Sequence, residues 1–406
     1  MGTPQVCSVL RSDAHASVGC APLRYSDAPS TWATWPPNLS VGTTTPPHVT
    51  TSLRWAEIDL GAVRSNVALI AGHLPKGTHL LAVVKAAGYG HGALPVARSA
   101  LEGGAKGLAV ATIEEAHELR HLLPAEHILV MGGLTNDLLP AAAATGCTIG
   151  VSSRETIRAL GDRDEVVPVH LKIDTGMGRF GCSPEDAPEL AKLIEESSGL
   201  RLAGTWTHFA SSESDEALTH RQFDLFLETL ARFDVDPGLR HASNSRGALL
   251  HPEMSLDAVR VGIAVYGCEW PGTKPALTFR SVVTHVKTVA KGQTVGYGAA
   301  WRAPDTARIA TVAVGYADGV FRARSNRGDV LVRGFRAPLV GTVSMDSFTV
   351  DVSGVPDPAV GDVVTLIGSD GQERITAEEV AQWSGTISYE VLTSIGPRVE
   401  RIVLPT

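Results

Sequence analysis

A lysine closes the apolar run Leu81-Ala-Val-Val-Lys85, and Ala86-Ala-Gly-Tyr-Gly-His-Gly92 follows at once. At the end of a buried strand, lost hydration lowers an ammonium's pKa and leaves a usable amine nucleophile. The glycine-rich turn with Tyr89 adds backbone amides and a phenol hydroxyl, which suit an anchored phosphate. Taken alone, Lys85 is equally a lysine snorkelling from a strand end. Arg260 sits among Val259, Val261 and Ile263, poor company for a surface arginine, and Gly262 beside it would let the backbone approach a ligand closely. His170, Lys172 and Asp174 alternate along one face of a strand whose other face is Val169, Leu171 and Ile173. His208 by itself reads as an ordinary histidine at a strand end.

These residues act together only if the elements bring them to one place. Short runs rich in Val, Ile and Leu recur at 80–84, 107–112, 127–131, 147–151, 169–173, 202–208, 239–242 and 258–263. Their spacing, mostly about 20 to 35 residues, is what a strand, a crossover helix and two loops consume. The segments between them look helical: Thr112 and Glu115 form a capping box ahead of 113–122, and 219–233 repeats its apolar residues at Phe223, Phe226, Leu227 and Leu230. Eight strand and helix units predict a closed (β/α)8 TIM-type barrel of α/β class, with its chemistry at the C-terminal ends of the strands. A doubly wound open sheet is the rival. After about residue 282 the pattern changes to strands with tight turns and little helix, at 282–289, 308–314, 328–332, 337–343, 347–352 and 363–367. A barrel over 53–281 and a mainly β C-terminal domain over 282–406 are therefore expected, with 53–60 able to join either.

Composition narrows the function. The 406 residues are 44% hydrophobic, enough to bury a sizeable core, and 41 glycines with 24 prolines favour short, numerous elements over a helical bundle. A net charge of −8 offers no basic field to a phosphate backbone, so a small molecule is the expected partner and nucleic acid is not. The five scattered cysteines (Cys7, Cys20, Cys147, Cys182, Cys268) lack a C-x-x-C pair and read as reduced thiols of a cytoplasmic protein. No apolar run is long enough to cross a membrane. Residues 1–52, rich in Ser, Thr and Pro toward their end, read as a flexible leader or as the product of a start codon set upstream of the real one. Their deletion is expected to leave activity intact.

The segment Val84-Lys-Ala-Ala-Gly-Tyr-Gly-His-Gly92 resembles the pyridoxal-phosphate lysine signature of bacterial alanine racemases. Further matches follow in the family's order: Trp55-Ala-Glu-Ile-Asp-Leu60, His170-Leu-Lys-Ile-Asp-Thr-Gly-Met-Gly-Arg-Phe-Gly181, Thr207-His-Phe209, His241-Ala-Ser-Asn-Ser245, Val259-Arg-Val-Gly-Ile263, Gly296-Tyr-Gly298, Gly315-Tyr-Ala-Asp-Gly319 and Met345-Asp346. One such match is weak, but the ordered set is specific. It departs from the family at Ala87 and Gly88, where Asp or Asn and then Ala are common, and at Pro397, about where a phosphate-binding tyrosine often stands.

The resemblance implies that Lys85 holds pyridoxal 5'-phosphate covalently until an amino acid displaces it, and that the ring serves as an electron sink for charge on Cα. It makes Lys85 the base for the D-enantiomer and Tyr297 of the neighbouring subunit the base for the L-enantiomer. It assigns a relay to His208 and Arg260, with Arg260 donating to the pyridine nitrogen rather than protonating it. Tyr89, Ser245 and the amides of Gly262 and Ile263 are expected to hold the phosphate, with Asn244 nearby. Arg179 and Met345 are expected at the substrate, Tyr316 along its access, and Lys172 and Asp346 in support, the lysine carbamylated in several family members. An obligate homodimer with shared sites follows, making D-alanine for peptidoglycan. Rival readings are a broad-specificity or serine racemase with the same catalytic residues, and a non-catalytic pyridoxal-phosphate barrel, which would lack the second domain. A basic amino-acid decarboxylase is disfavoured because no cysteine follows Cys268.

Overall fold

The computed structural model describes residues 52–163 and 165–405. The leader expected over 1–52 lies, except for Ser52, outside the described residues, as do Cys7 and Cys20. The first strand, β1 (Arg54–Ile58), ends at Asp59, whose carboxylate accepts from the Ala62 amide at 2.8 Å and starts the helix Leu60–His73.

Eight parallel strands then close into a barrel: β2 (His79–Val83), β3 (Gly107–Val110), β4 (Ile128–Val130), β5 (Thr148–Val151), β6 (Val167–Lys172), β7 (Leu200–Trp206), β8 (Leu239–His241) and β9 (Ala258–Val261). They fall within the eight apolar runs of the sequence or overlap them, and closure excludes the open-sheet alternative. The runs are nearly continuous in apolar residues because a parallel barrel strand is covered on both faces. Closure occurs where β2 pairs with β9, with Leu81 opposite Arg260. Across β6, β7 and β8 the register aligns Lys172 with Trp206 and Trp206 with His241, so three large side chains share one level. The capping box of Thr112 and Glu115 forms as expected, although its helix runs only Ile113–Leu119.

The C-terminal strands are β10 (Leu277–Val289), β11 (Thr294–Val295), β12 (Trp301–Arg302), β13 (Ala307–Val312), β14 (Asp329–Val332), β15 (Phe335–Pro338), β16 (Phe348–Asp351), β17 (Val363–Asp370), β18 (Glu373–Ile375) and β19 (Glu400–Val403). One sheet runs β15-β14-β17-β10-β1-β19, with β13 joining β10 to β16 and β18 on β17. β1 therefore belongs with the C-terminal strands, antiparallel to β10 and parallel to β19. β10 begins five residues before the expected 282, because Leu277, Phe279, Ser281 and Val283 alternate inward and carry the strand back to the barrel. The little helix expected after 282 is found in Ala377–Ser384, whose own Thr376 and Glu379 make a capping box, and in Ser388–Thr393. The barrel's buried residues and those of the sheet merge into one apolar core around Tyr266, Leu277 and Val391. Among the described residues, no helix is long and apolar enough to cross a membrane.

Candidate active site

After β2 the chain makes an unusual turn. Ala86, Ala87, Gly88 and Tyr89 all have positive φ, between 50° and 61°, a left-handed stretch that costs a residue with a Cβ roughly 1–2 kcal/mol. Glu115 offsets that cost: its carboxylate accepts from the amides of Ala86 and Ala111, both at 2.7 Å, while also capping its own helix. Lys85, at the head of this turn, is held at the C-terminal mouth of the barrel. Its amine is lowered from the ordinary lysine range by burial and then by Arg179, against a smaller raising effect from Glu115.

Tyr89 is buried, stacked on Tyr266 with ring centroids 4.7 Å apart, and Tyr266 in turn donates its hydroxyl proton to the Val83 carbonyl at 3.0 Å. A Cβ at position 262 would collide with the Tyr89 hydroxyl, so glycine is required there. The Gly262 amide donates to Ser245 Oγ at 3.0 Å. Thus Tyr89, Ser245 and Gly262 converge beside Ile263, which opens the short helix Ile263–Tyr266. Asn244 commits its side-chain oxygen to the turn itself, accepting from the Gly247 amide at 2.8 Å and the Ser212 hydroxyl at 3.0 Å. One phenol and one serine hydroxyl with nearby amides make a donor-rich pocket fit for an anion.

Arg260 is 2% exposed and makes four hydrogen bonds. Nη1 donates to His241 Nδ1 at 2.5 Å; Nη2 donates to the Thr207 and Ala242 carbonyls at 2.9 and 2.8 Å and to His208 Nδ1 at 3.1 Å. Nε is buried with no partner. An orphaned donor costs about 1–3 kcal/mol, so it marks a place where an acceptor belongs. Burial lowers the guanidinium to about 9. His208 is held far below the ordinary imidazole range by burial and then by Arg260, Arg179, Lys172 and Lys85, which keeps it neutral.

The loop after β6 is shaped by Asp174, whose carboxylate accepts from the amides of Gly176, Met177 and Gly178 at 2.9 to 3.1 Å. That turn presents Arg179 to solvent at the barrel mouth. Lys172 is buried, donates to the Phe180 carbonyl at 2.6 Å and sits 3.5 Å over the Phe180 ring. Burial, then Arg179, lowers its ammonium to about 8. Lys85, Arg179, Lys172, His208 and Arg260 thus lie within electrostatic range of one another.

The remaining sequence-derived residues gather elsewhere. The amides of Tyr316 and Ala317 donate to the Ser344 and Met345 carbonyls, both at 3.0 Å, which sets Tyr316 beside Met345. Asp346 accepts from Arg398 at 2.7 Å, and the Tyr297 carbonyl accepts from Thr342 Oγ1 at 2.9 Å. Tyr297 and Met345 are 72% and 51% exposed, which leaves large apolar groups facing outward. Among the described residues, no hydrogen bond, ion pair or ring contact joins Tyr297, Tyr316, Met345 or Asp346 to Lys85. Sequence reasoning missed Glu115 as a clamp on the lysine turn and Tyr389, whose ring lies 6.0 Å from that of Tyr89. The capping box was the available signal for Glu115; nothing local marked Tyr389.

Comparison with known proteins agrees with this fold. Family models described as the N-terminal and C-terminal domains of alanine racemase match residues 58–269 and 276–403. The chain is 41% identical over 362 residues to the alanine racemase of Symbiobacterium thermophilum, covering 86% of this chain and 96% of the relative. Among solved structures, the alanine racemase of D-cycloserine-producing Streptomyces lavendulae superposes with a TM-score of 0.82 at 38% identity, over 88% of this chain and 98% of that one. That of Bartonella henselae, solved with covalently bound pyridoxal phosphate, has a TM-score of 0.78 at 31% identity, over 87% and 100%. The chain belongs to the alanine racemase family of isomerases.

Proposed function

We propose that the protein interconverts L- and D-alanine, using pyridoxal 5'-phosphate held on Lys85 and a second base, Tyr297, supplied by the other subunit of a homodimer. The single observation that carries this reading is the buried, unpartnered Nε of Arg260. A guanidinium can only donate, so its complement is an acceptor, and an unprotonated pyridine nitrogen is one. The rest of the pocket fits the same molecule: an amine of lowered basicity for its aldehyde, and Tyr89, Ser245 and the Gly262 and Ile263 amides for its phosphate. Bound there, the cofactor supplies an electron sink for the charge left when Cα loses its proton.

The residues divide the work by face. Lys85 Nζ takes and returns the Cα proton of the D-enantiomer, and Tyr297 Oη does so for the L-enantiomer. Arg260, held by His241 and His208, would offer the ring nitrogen a hydrogen bond without giving up its proton, which would favour return of the proton to Cα over transfer elsewhere. Arg179 orients the substrate carboxylate, with Met345 and Tyr316 lining its approach and Lys172 and Asp346 in support. The buried free thiols Cys147, Cys182 and Cys268 suit a reducing, cytoplasmic setting, where the D-alanine would feed peptidoglycan synthesis.

Borohydride reduction and peptide mapping test the cofactor: pyridoxyl label belongs on Lys85, and label elsewhere sinks the assignment. Lys85→Ala and Tyr297→Phe are each expected to abolish racemisation in deuterated water, and a Tyr297→Phe protein with unchanged rates would defeat the two-base scheme. A panel of amino acids run with the wild-type enzyme separates alanine-only from broader turnover.

A further inference from the structure

Two buried histidines stand behind Arg260, one touching it directly and the other reaching it only through the first. His241 accepts from Arg260 Nη1 at Nδ1, and its Nε2 lies 2.8 Å from Nδ1 of His170. The arginine has only donors, so it dictates the protons beyond it: a neutral His241 carries its proton on Nε2, donates it to His170 Nδ1, and leaves His170 with its proton on Nε2. Burial, and after it the charge of Arg260, holds both imidazoles below their ordinary range, His170 at about 3, so both stay neutral. The geometry around them is built for the pair. His241 stacks on Trp206 with the rings 9° from parallel, and Gly204 has no Cβ where one would come within 2.7 Å of His170 Nε2.

His170 also lines a cavity of about 350 Å³ at the other mouth of the barrel, among the first residues of its strands. His79, Lys106, Glu126, His127 and Arg201 face it there, with Glu126 paired to Arg201 at 2.9 Å and near His127 at 3.9 Å. The hydrogen-bonded chain therefore runs through the barrel core from the candidate site to its floor.

We infer that His241 and His170 are positioning residues that lock the Arg260 guanidinium in one orientation, with Nε as its one nitrogen left without a partner. The inference rests on the proposed function only in what that donor meets. The chain has a fixed polarity, and a proton added to His170 would reverse it. His170 Nδ1 would then donate, His241 would carry its proton on Nδ1, and that proton would face the arginine donor to donor. The cations Lys106 and Arg201 at the floor, with Arg260 behind, oppose such protonation, while Glu126 is occupied by its own partners.

Nitrogen-15 NMR of the full-length protein labelled at histidine reads the tautomers directly. Both His170 and His241 should show the Nε2–H form; an Nδ1–H form of either overturns the inference. His170→Phe keeps the ring volume but removes the acceptor. It should lower the affinity for added pyridoxal phosphate about tenfold, the worth of one buried hydrogen bond, and reduce kcat more than KM. His170→Gln, whose amide both accepts and donates, should restore most of both. Unchanged affinity in a folded His170→Phe protein would overturn the inference, and should that variant not fold, the wild-type tautomers and the glutamine variant decide it. A wild-type protein that binds no pyridoxal phosphate would defeat the proposed function instead, leaving the tautomers to judge the chain.

Discussion

Ala87 holds φ at +53°, a region where alanine is strained and asparagine is tolerated because its short side chain bonds locally. The Asp or Asn that the family resemblance leads one to expect at this position would thus have a backbone cause. Ala87→Asn is expected to stabilise the fold by roughly 0.5–1 kcal/mol with unchanged turnover, seen as a higher unfolding midpoint; a lower midpoint would mean the turn is not left-handed in solution. Lys172 offers a second prediction. With its ammonium lowered to about 8 by burial and Arg179, it is neutral often enough near neutral pH to attack carbon dioxide. The amine nitrogen would bond to carbon and release a proton, turning a repulsive Lys172–Arg179 neighbourhood into an attractive one. Protein kept in carbon-13 bicarbonate should show a carbamate resonance that Lys172→Arg lacks, and its absence from the wild type would leave the plain lysine as the working form.

Among the elements, the helix Ile113–Leu119 matters most to the site because its N-terminus does two jobs through one residue. Glu115 caps that helix and pins Ala86, so Glu115→Ala should cost about 1–2 kcal/mol in stability. It should also loosen the Lys85 turn, read as weaker retention of pyridoxal phosphate; full retention would show that the turn stands without its clamp. The sequence announced this helix by its capping box and the barrel strands by their apolar runs, since both signals are local. The left-handed turn after Lys85 was not legible, because only one of its four residues, Gly88, belongs to a type that signals positive φ, and it looks like any loop glycine. The start of β10 was missed because Thr278, Arg280 and Ser281 dilute its apolar pattern. The pairing of His170 with His241 joins residues 71 apart and depends on the barrel bringing β6 near β8, a fact that no spacing rule carries.

At the scale of the whole molecule, four histidines among the described residues are held neutral: His91 at about 4, His170 at about 3, and His208 and His241 far below the ordinary range, burial being the leading cause for each. Their folded pKa values lie below the unfolded value of 6.5, so the unfolded chain binds more protons once the pH falls beneath it. Stability is then complete above that value and declines on acidification, each histidine adding a slope of about 1.4 kcal/mol per pH unit. The unfolding midpoint should therefore drop steeply below about pH 6, and less steeply in His91→Asn; a flat midpoint would mean that these side chains are solvated. Assembly offers a separate test. Among the described residues, Tyr297, Tyr316 and Met345 are exposed and joined by no hydrogen bond, ion pair or ring contact to Lys85, so a site that uses both sets calls for two chains. Lys85→Ala and Tyr297→Phe proteins should each be inactive. When they are mixed, dissociated and reassembled, half the dimers are hybrids, and each hybrid has one site with both residues intact, so activity should return to about a quarter of wild type. A site contained within one chain would give a mixture as dead as its components, because every hybrid would then carry two defective sites.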